Sequence, residues 1–298
     1  MKKNSQKSIT KFLLIPLALA ILISCTTVSA GGANQGGKID LYIAPQIEYL
    51  PVGNLLTHLL ESRLGLEVNK KIQYLEIGLR KTANGNSDLF IGVKLPHVHE
   101  VPWTYSKYQL CDLGPIYEDV VVGWGVPTYI PTNKLNSALD LGNKDIKSRL
   151  QGEIIVYDFD KKILEESKKL IRTVKGLQDY KLVELKEMVA NSELNRATRN
   201  KEWIVMTLRR PSIPYSLHDI RFIEILTREQ SVHLFGRKDL MAKYSSEVTQ
   251  FLSRFYLPIE LVEELVRLHD QDKSNAVKKF INRHPAMVEY WLGGVESL

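Results

Sequence analysis

The chain has 298 residues, 40 of them basic and 34 acidic, which gives a formal charge of +6 at neutral pH. Two cysteines are too few for a disulfide-stapled scaffold. The length exceeds one ordinary hydrophobic core, so one large α/β domain or two lobes are expected.

The N-terminus bears on the compartment. Lys2, Lys3, Lys7 and Lys11 accompany an apolar run, residues 12–23, that is short for a membrane span, and Leu22-Ile23-Ser24-Cys25 closes it. This pattern resembles a bacterial lipoprotein signal peptide, which implies removal of residues 1–24 and a lipid on Cys25; an ordinary signal peptide cut near Ala30 is the alternative. Residues 25–37, rich in Ser, Gly, Ala and Asn, then read as a flexible tether. The folded part is expected outside the cytoplasm, in the periplasm or at the cell surface, anchored to a membrane without being embedded. Loss of the four lysines leaves 36 basic against 34 acidic residues, near +2, which removes the compositional case for a nucleic-acid partner. Cys111, without a disulfide partner, reads as a small buried hydrophobe.

Residues 38–44 read as a short strand, and 53–64, with Leu55, Leu56, Leu59, Leu60 and Leu64 at helical spacing, as a helix ended by Gly65. Residues 72–77 predict a second strand, 78–84 a short helix and 88–93 a buried third strand. Beyond Lys94 come a proline-punctuated turn with two histidines, a Trp/Tyr-rich helical turn and a strand ending at Val126-Pro127. After Pro131 the alternation restarts: a helical or looped connection at 134–148, strand 152–157, helix 161–174, strand 180–185, helix 186–200, and strands 203–208 and 221–224. From Ser231 onward a strand at 233–236 precedes helices at 246–255, 258–270, 275–282 and 285–292. Strands alternating with helices imply parallel pairing and an α/β class. Ligand sites in such folds lie at strand ends, and the end of the third strand begins with Lys94.

Several strings carry a family resemblance: LGPIYEDVVVGWGVPTYIP, the Leu95-Pro96-x-x-His99 turn, NKEWIVMTLRRP followed by DIRFIE, FLSRFYLP, and HPAMVEYWLG. In this order, over about residues 38–294, the chain resembles the extracytoplasmic substrate-binding proteins of glycine betaine/proline-type (quaternary amine) ABC importers. The resemblance implies a two-lobed, type II periplasmic-binding-protein (Venus-flytrap) fold with two hinge crossings. Lobe 1 would be residues 38–126 plus 232–298, and lobe 2 residues 127–231. It also implies closure on a small-molecule solute, no cofactor, and partnership with permease and ATPase subunits.

The pocket departs from the family pattern. Where relatives carry Trp before Leu-Pro this chain has Lys94, and where a Trp is usual after the first strand it has Ala44-Pro45-Gln46. Trp-x-Pro-His-Trp becomes Arg209-Arg210-Pro211-Ser212-Ile213, and the Pro-Gly-Ala-Gly turn becomes Phe159-Asp160-Lys161-Lys162. An aromatic box holds a quaternary ammonium by cation–π attraction, so its loss implies altered specificity. Lys94 and Arg209 then have two readings: opposing basic groups that clamp an anionic solute such as a carboxylate, sulfonate or phosphonate, or a decayed pocket with both side chains solvated. In the second case the protein keeps the scaffold and acts in surface or periplasmic interactions. Arg210 is expected to face away from Arg209.

Further candidates for the ligand site are Trp103 and Tyr105, as replacement ring faces, and Pro211. Tyr157 and Asp158 stand at the end of a lobe-two strand, where Asp158 or Asp160 reads equally as the N-cap of the following helix. His97 and His99 could line the site, or with Glu100, His218 or Asp219 seat a zinc ion, although no further ligand stands at a diagnostic spacing. Trp124 is expected to stiffen the hinge or plug the cleft. An enzyme is disfavoured by the lack of a Gly-flanked serine elbow, a phosphate loop or paired carboxylates at a recognisable spacing.

Overall fold

Nine strands organise the described residues, 37–96, 109–157, 161–227 and 229–293 of the computed structural model. β1 (Lys38–Ile43), β2 (Glu67–Ile72) and β3 (Leu89–Leu95) are mutually parallel, with β1 between the other two. The helices α1 (Tyr49–Ser62) and α2 (Leu75–Ala83) connect them. Further along, β5 (Glu153–Tyr157) lies parallel to both β6 (Lys181–Leu185) and β7 (Met206–Arg210). The alternation of strand and helix that predicted parallel pairing is therefore present in both parts of the chain.

Three antiparallel strands join these parts. β4 (Leu110–Pro127) is 18 residues long. Its first stretch pairs with β9 (Gln230–Arg237), from Leu110↔Arg237 to Val120↔Gln230. Its second stretch pairs with β7 on one side and β8 (Ile220–Ile225) on the other. The order across the whole sheet is β2-β1-β3-β9-β4-β7-β5-β6, with β8 added to β4. Only glycine fits two positions of β4: a Cβ on Gly123 would lie 2.2 Å from the Glu224 carbonyl oxygen, and one on Gly125 would lie 2.9 Å from Ile220 and Leu208.

Apolar side chains gather on each part separately. The larger core joins β1, β3, α1 and the start of β4 to the C-terminal helices α8 (Ser246–Arg254), α9 (Ile259–Gln271), α10 (Ala276–Arg283) and α11 (Pro285–Leu292). Phe251, Phe255 and Trp291 stack within it, with ring centroids 5.8 and 5.0 Å apart. A second core surrounds Trp124, Val126, Ile130 and Ile154. A third lies under α5 (Glu187–Asn200), around Tyr157, Leu194 and Met206.

The structure corrects several expectations. Residues 72–77 are not a strand. β2 ends at Ile72, and Leu75, Leu79 and Thr82 recur at helical spacing as the inner face of α2. The strand was hard to read because EVNKKI holds one half-buried side chain and five exposed ones, as an edge strand does. α1 begins at Tyr49, four residues earlier than expected, because Pro51 sits in the first turn, where its missing N–H is one no helix uses. Cys111 is half-buried on β4, a free thiol. Trp124 is wholly buried and donates from Nε1 to Ser167 Oγ at 3.1 Å, so it fastens β4 to α4 (Lys161–Thr173) inside the second core.

Asp88, 1% exposed at the head of β3, ties the first part together. Its carboxylate accepts from the Asp40 N–H at 2.8 Å, from Lys243 Nζ at 2.5 Å and from Arg237 Nη1 at 3.3 Å. Burial alone would raise its pKa, but the Asp40 amide and the Lys243 ammonium outweigh burial and hold the carboxyl below its usual value. Its contribution to stability is present above the unfolded value of about 3.9 and is lost as pH falls through the lower folded value. Asp88→Asn leaves Arg237 and Lys243 facing a neutral amide and is expected to cost about 3 kcal/mol in urea denaturation at pH 7. The deficit should shrink when the same curves are taken below pH 3.

Candidate functional site

The exits of β1 and β3 and the end of β7 meet. Glu48, between β1 and α1, is 3% exposed. Its Oε1 accepts from Arg209 Nη1 at 3.2 Å, across 161 residues of sequence. Arg209 stands on β7, so this ion pair bridges the two parts of the sheet. In such a sheltered pair the mutual attraction offsets part of the desolvation cost, and removing one partner strands the other.

Strand alternation sends the neighbouring Arg210 the opposite way, as expected. Its Nε donates to Glu263 Oε1 at 2.5 Å and its Nη2 to Glu260 Oε1 at 3.1 Å, both on α9. After the cis Arg210–Pro211 peptide, Ser212 caps α6 (Ile213–Leu217) by accepting from the Tyr215 N–H at 3.3 Å. Arg267 of α9 donates to the Ser216 carbonyl at 3.4 Å. Two consecutive arginines thus connect the end of β7 with the residue that precedes α1 and with α9.

Tyr49 follows Glu48 directly. The Lys94 ammonium, from the last turns of β3, lies 5.8 Å from the centroid of the Tyr49 ring. The ring fits there because Gly92, at φ +126°, carries no Cβ; one would meet Ala44 at 2.4 Å and the Tyr49 ring at 3.1 Å. Tyr117, on β4, belongs to the same group. Both rings are fully buried, and neither hydroxyl has a hydrogen-bond partner among the described residues. Burial pushes both phenols well above their ordinary pKa; the Glu48 carboxylate adds to the rise and Arg209 opposes it. Both are therefore protonated O–H groups at any physiological pH.

Of the residues singled out from the sequence, Lys94, Arg209 and Pro211 come to this one region. Arg209 differs from its expectation as a bare basic group: its charge faces Glu48, a carboxylate not weighed before. Tyr157 stands apart. Its ring is in the third core, its hydroxyl donates to Asn191 of α5, and burial raises its pKa. His97, His99, Trp103, Tyr105, Asp158 and Cys25 lie outside the described residues. His218 Nε2 lies 2.8 Å from Asn195 Oδ1, and burial holds its pKa below the usual value against the pull of Asp219. Among the described residues no group of three His, Cys, Asp or Glu side chains stands ready for a metal. Glu48, Tyr49 and Tyr117 were missed. The one available signal was a Glu-Tyr pair at the start of a leucine-rich helix.

A sequence profile for the substrate binding domain of the ABC-type glycine betaine transport system matches residues 47–283. Among solved structures, lactococcal OpuAC in its closed, glycine betaine-bound conformation superposes with a TM-score of 0.64 at 22% identity, covering 86% of this chain and 99% of that one. The glycine betaine/L-proline-binding protein ProX of Borrelia burgdorferi follows at 0.62 and 20%, covering 86% and 97%. A choline-binding protein of an ABC transporter, in complex with choline, gives 0.61 at 16%, covering 87% and 92%. No curated protein sequence matches the chain. These likenesses give the α/β fold of periplasmic binding proteins, and the profile covers most of the chain. The chain belongs to the substrate-binding family of ABC-type glycine betaine transport systems, whose members bind solutes and are not enzymes.

Proposed function

We propose that the protein is the extracytoplasmic solute receptor of an ABC importer and that its solute carries an anionic group in place of a quaternary ammonium. The observation that carries this reading is the Lys94 ammonium 5.8 Å over the Tyr49 ring. That is the relation a bound cation takes to an aromatic face. A second cation about 5 Å from Lys94 meets a repulsion of about 3 kcal/mol at an effective dielectric near 20, which weakens binding about a hundredfold. An anion at the same place is attracted by Lys94, with Arg209 aimed by Glu48 as a second donor.

Mechanistically, the two parts of the sheet act as lobes 38–126 plus 232–298 and 127–231. They pivot where β4 and the β8–β9 connection pass between them and close on the solute. The closed form is what permease and ATPase subunits read. A lipid on Cys25 holds the receptor at the membrane through the tether 25–37. A second reading, a scaffold that binds no solute and serves an interaction outside the cytoplasm, is favoured by one observation: Arg209 and Arg210 already join the two parts through Glu48, Glu260 and Glu263.

Thermal-shift and calorimetric titration of the full chain separate these readings. With propionate, ethanesulfonate and ethylphosphonate set against glycine betaine and choline, at least one anion is expected to raise Tm. Stabilisation by glycine betaine or choline at micromolar concentration removes the anion reading, and silence across the whole panel supports the solute-free scaffold. For an anion that binds, Lys94→Ala should weaken affinity by about tenfold to a hundredfold, the worth of one charge-assisted hydrogen bond. An unchanged Kd would take Lys94 out of the site.

A further inference from the structure

The hydroxyls of Tyr49 and Tyr117 are without a role in the fold. Both are buried, and among the described residues neither has a hydrogen-bond partner. A buried hydroxyl without a partner is costly, and folded proteins leave few of them. Here two occur in one group, on α1 and β4, close enough to the Glu48–Arg209 pair for its charges to act on both phenols. Lys94 reaches the same ring from β3. Four separate elements, drawn from both parts of the sheet, therefore bring polar groups to one place.

Chemistry narrows the partner. A protonated phenol donates one hydrogen bond, a guanidinium and an ammonium donate only, and Glu48 is already engaged by Arg209. Each phenol oxygen can also accept, but with Lys94 and Arg209 the set offers more donors than acceptors. It matches a compact group with several anionic oxygens and does not match a trimethylammonium, which has no lone pair and no N–H. We propose that Tyr49 and Tyr117 are specificity-determining residues, whose hydroxyls donate to the oxyanion of a carboxylate, sulfonate or phosphonate solute beside Arg209. This rests on the anion-receptor reading above and adds to it the two donors that would make an oxyanion preferred over a halide or other featureless charge.

The test uses the full chain and its Tyr49→Phe and Tyr117→Phe variants, titrated calorimetrically with propionate, ethanesulfonate and ethylphosphonate, and melted with and without each. Phe keeps the ring and removes only the hydroxyl. The expected result is a loss of about tenfold to a hundredfold in affinity for the probe that the unaltered chain binds, in either variant. Tm without solute should stay level or rise, because the deleted hydroxyl has no hydrogen-bond partner among the described residues. Affinity within twofold of the unaltered chain in both variants would overturn the assignment. A fall of several degrees in the solute-free Tm would do so as well, since it would mean the hydroxyls serve the fold. If the unaltered chain binds none of the three probes, the anion-receptor reading itself fails and this inference falls with it, an outcome distinct from bound solute with indifferent variants.

Discussion

One strand belongs to two hydrogen-bonded ladders, and most of the architecture follows from that. β4 exchanges partners midway, from β9 to β7 and β8, so it is the strand that the two parts of the sheet share. A strand serving both must approach its neighbours closely where the partners change, and Gly123 and Gly125 permit the approach. The register breaks between Asp112 and Pro115, between Pro115 and Tyr117, and between Tyr117 and Val120. Bulges of this kind re-aim side chains. Here they carry Tyr117 into the first core while Glu118 and Asp119 stay exposed. The position of a candidate recognition group is thus a by-product of how one strand reconciles two sheets.

Charge pairing does the complementary work at the end of β7. A period of two sends adjacent arginines to opposite faces, and each finds carboxylates at a different place, Glu48 just ahead of α1 and Glu260 and Glu263 on α9. The Glu48 pair is the more sheltered, with the carboxylate side chain 4% exposed against 13% for Glu263 and 69% for Glu260. Desolvation makes the sheltered pair specific in geometry, since a misplaced partner there is costly, whereas Glu260 can be replaced by solvent.

The scaffold was largely legible because its signals are local. LGPIYEDVVVGWGVP reads as one continuous strand, and the leucines of α1 and the aliphatic strands of the first core follow helical and strand periods. What failed to read depended on distance. β2 has almost no apolar face because it lies at a sheet edge, so Ile72, Leu75 and Ile77 were mistaken for a strand when the last two begin a helix. Lys94 and Arg209 were recognisable as basic residues in unusual places. That one overlies a ring and the other faces a carboxylate 161 residues away is a fact of tertiary pairing that no spacing encodes. Tyr49 and Tyr117 carry no sequence mark of an unsatisfied hydroxyl, because satisfaction is a property of neighbours.

Two of the strands that end the main path of the sheet, β2 and β6, carry charge along their open sides. Along β2, Glu67, Asn69, Lys70 and Lys71 are exposed; along β6, Lys181 and Glu184 are. Unpaired amides on a border strand form a template onto which a foreign strand can add, and docking there would require stripping water from each of these charges and amides. The exposed charges along both strands therefore work against edge-to-edge addition of a further strand.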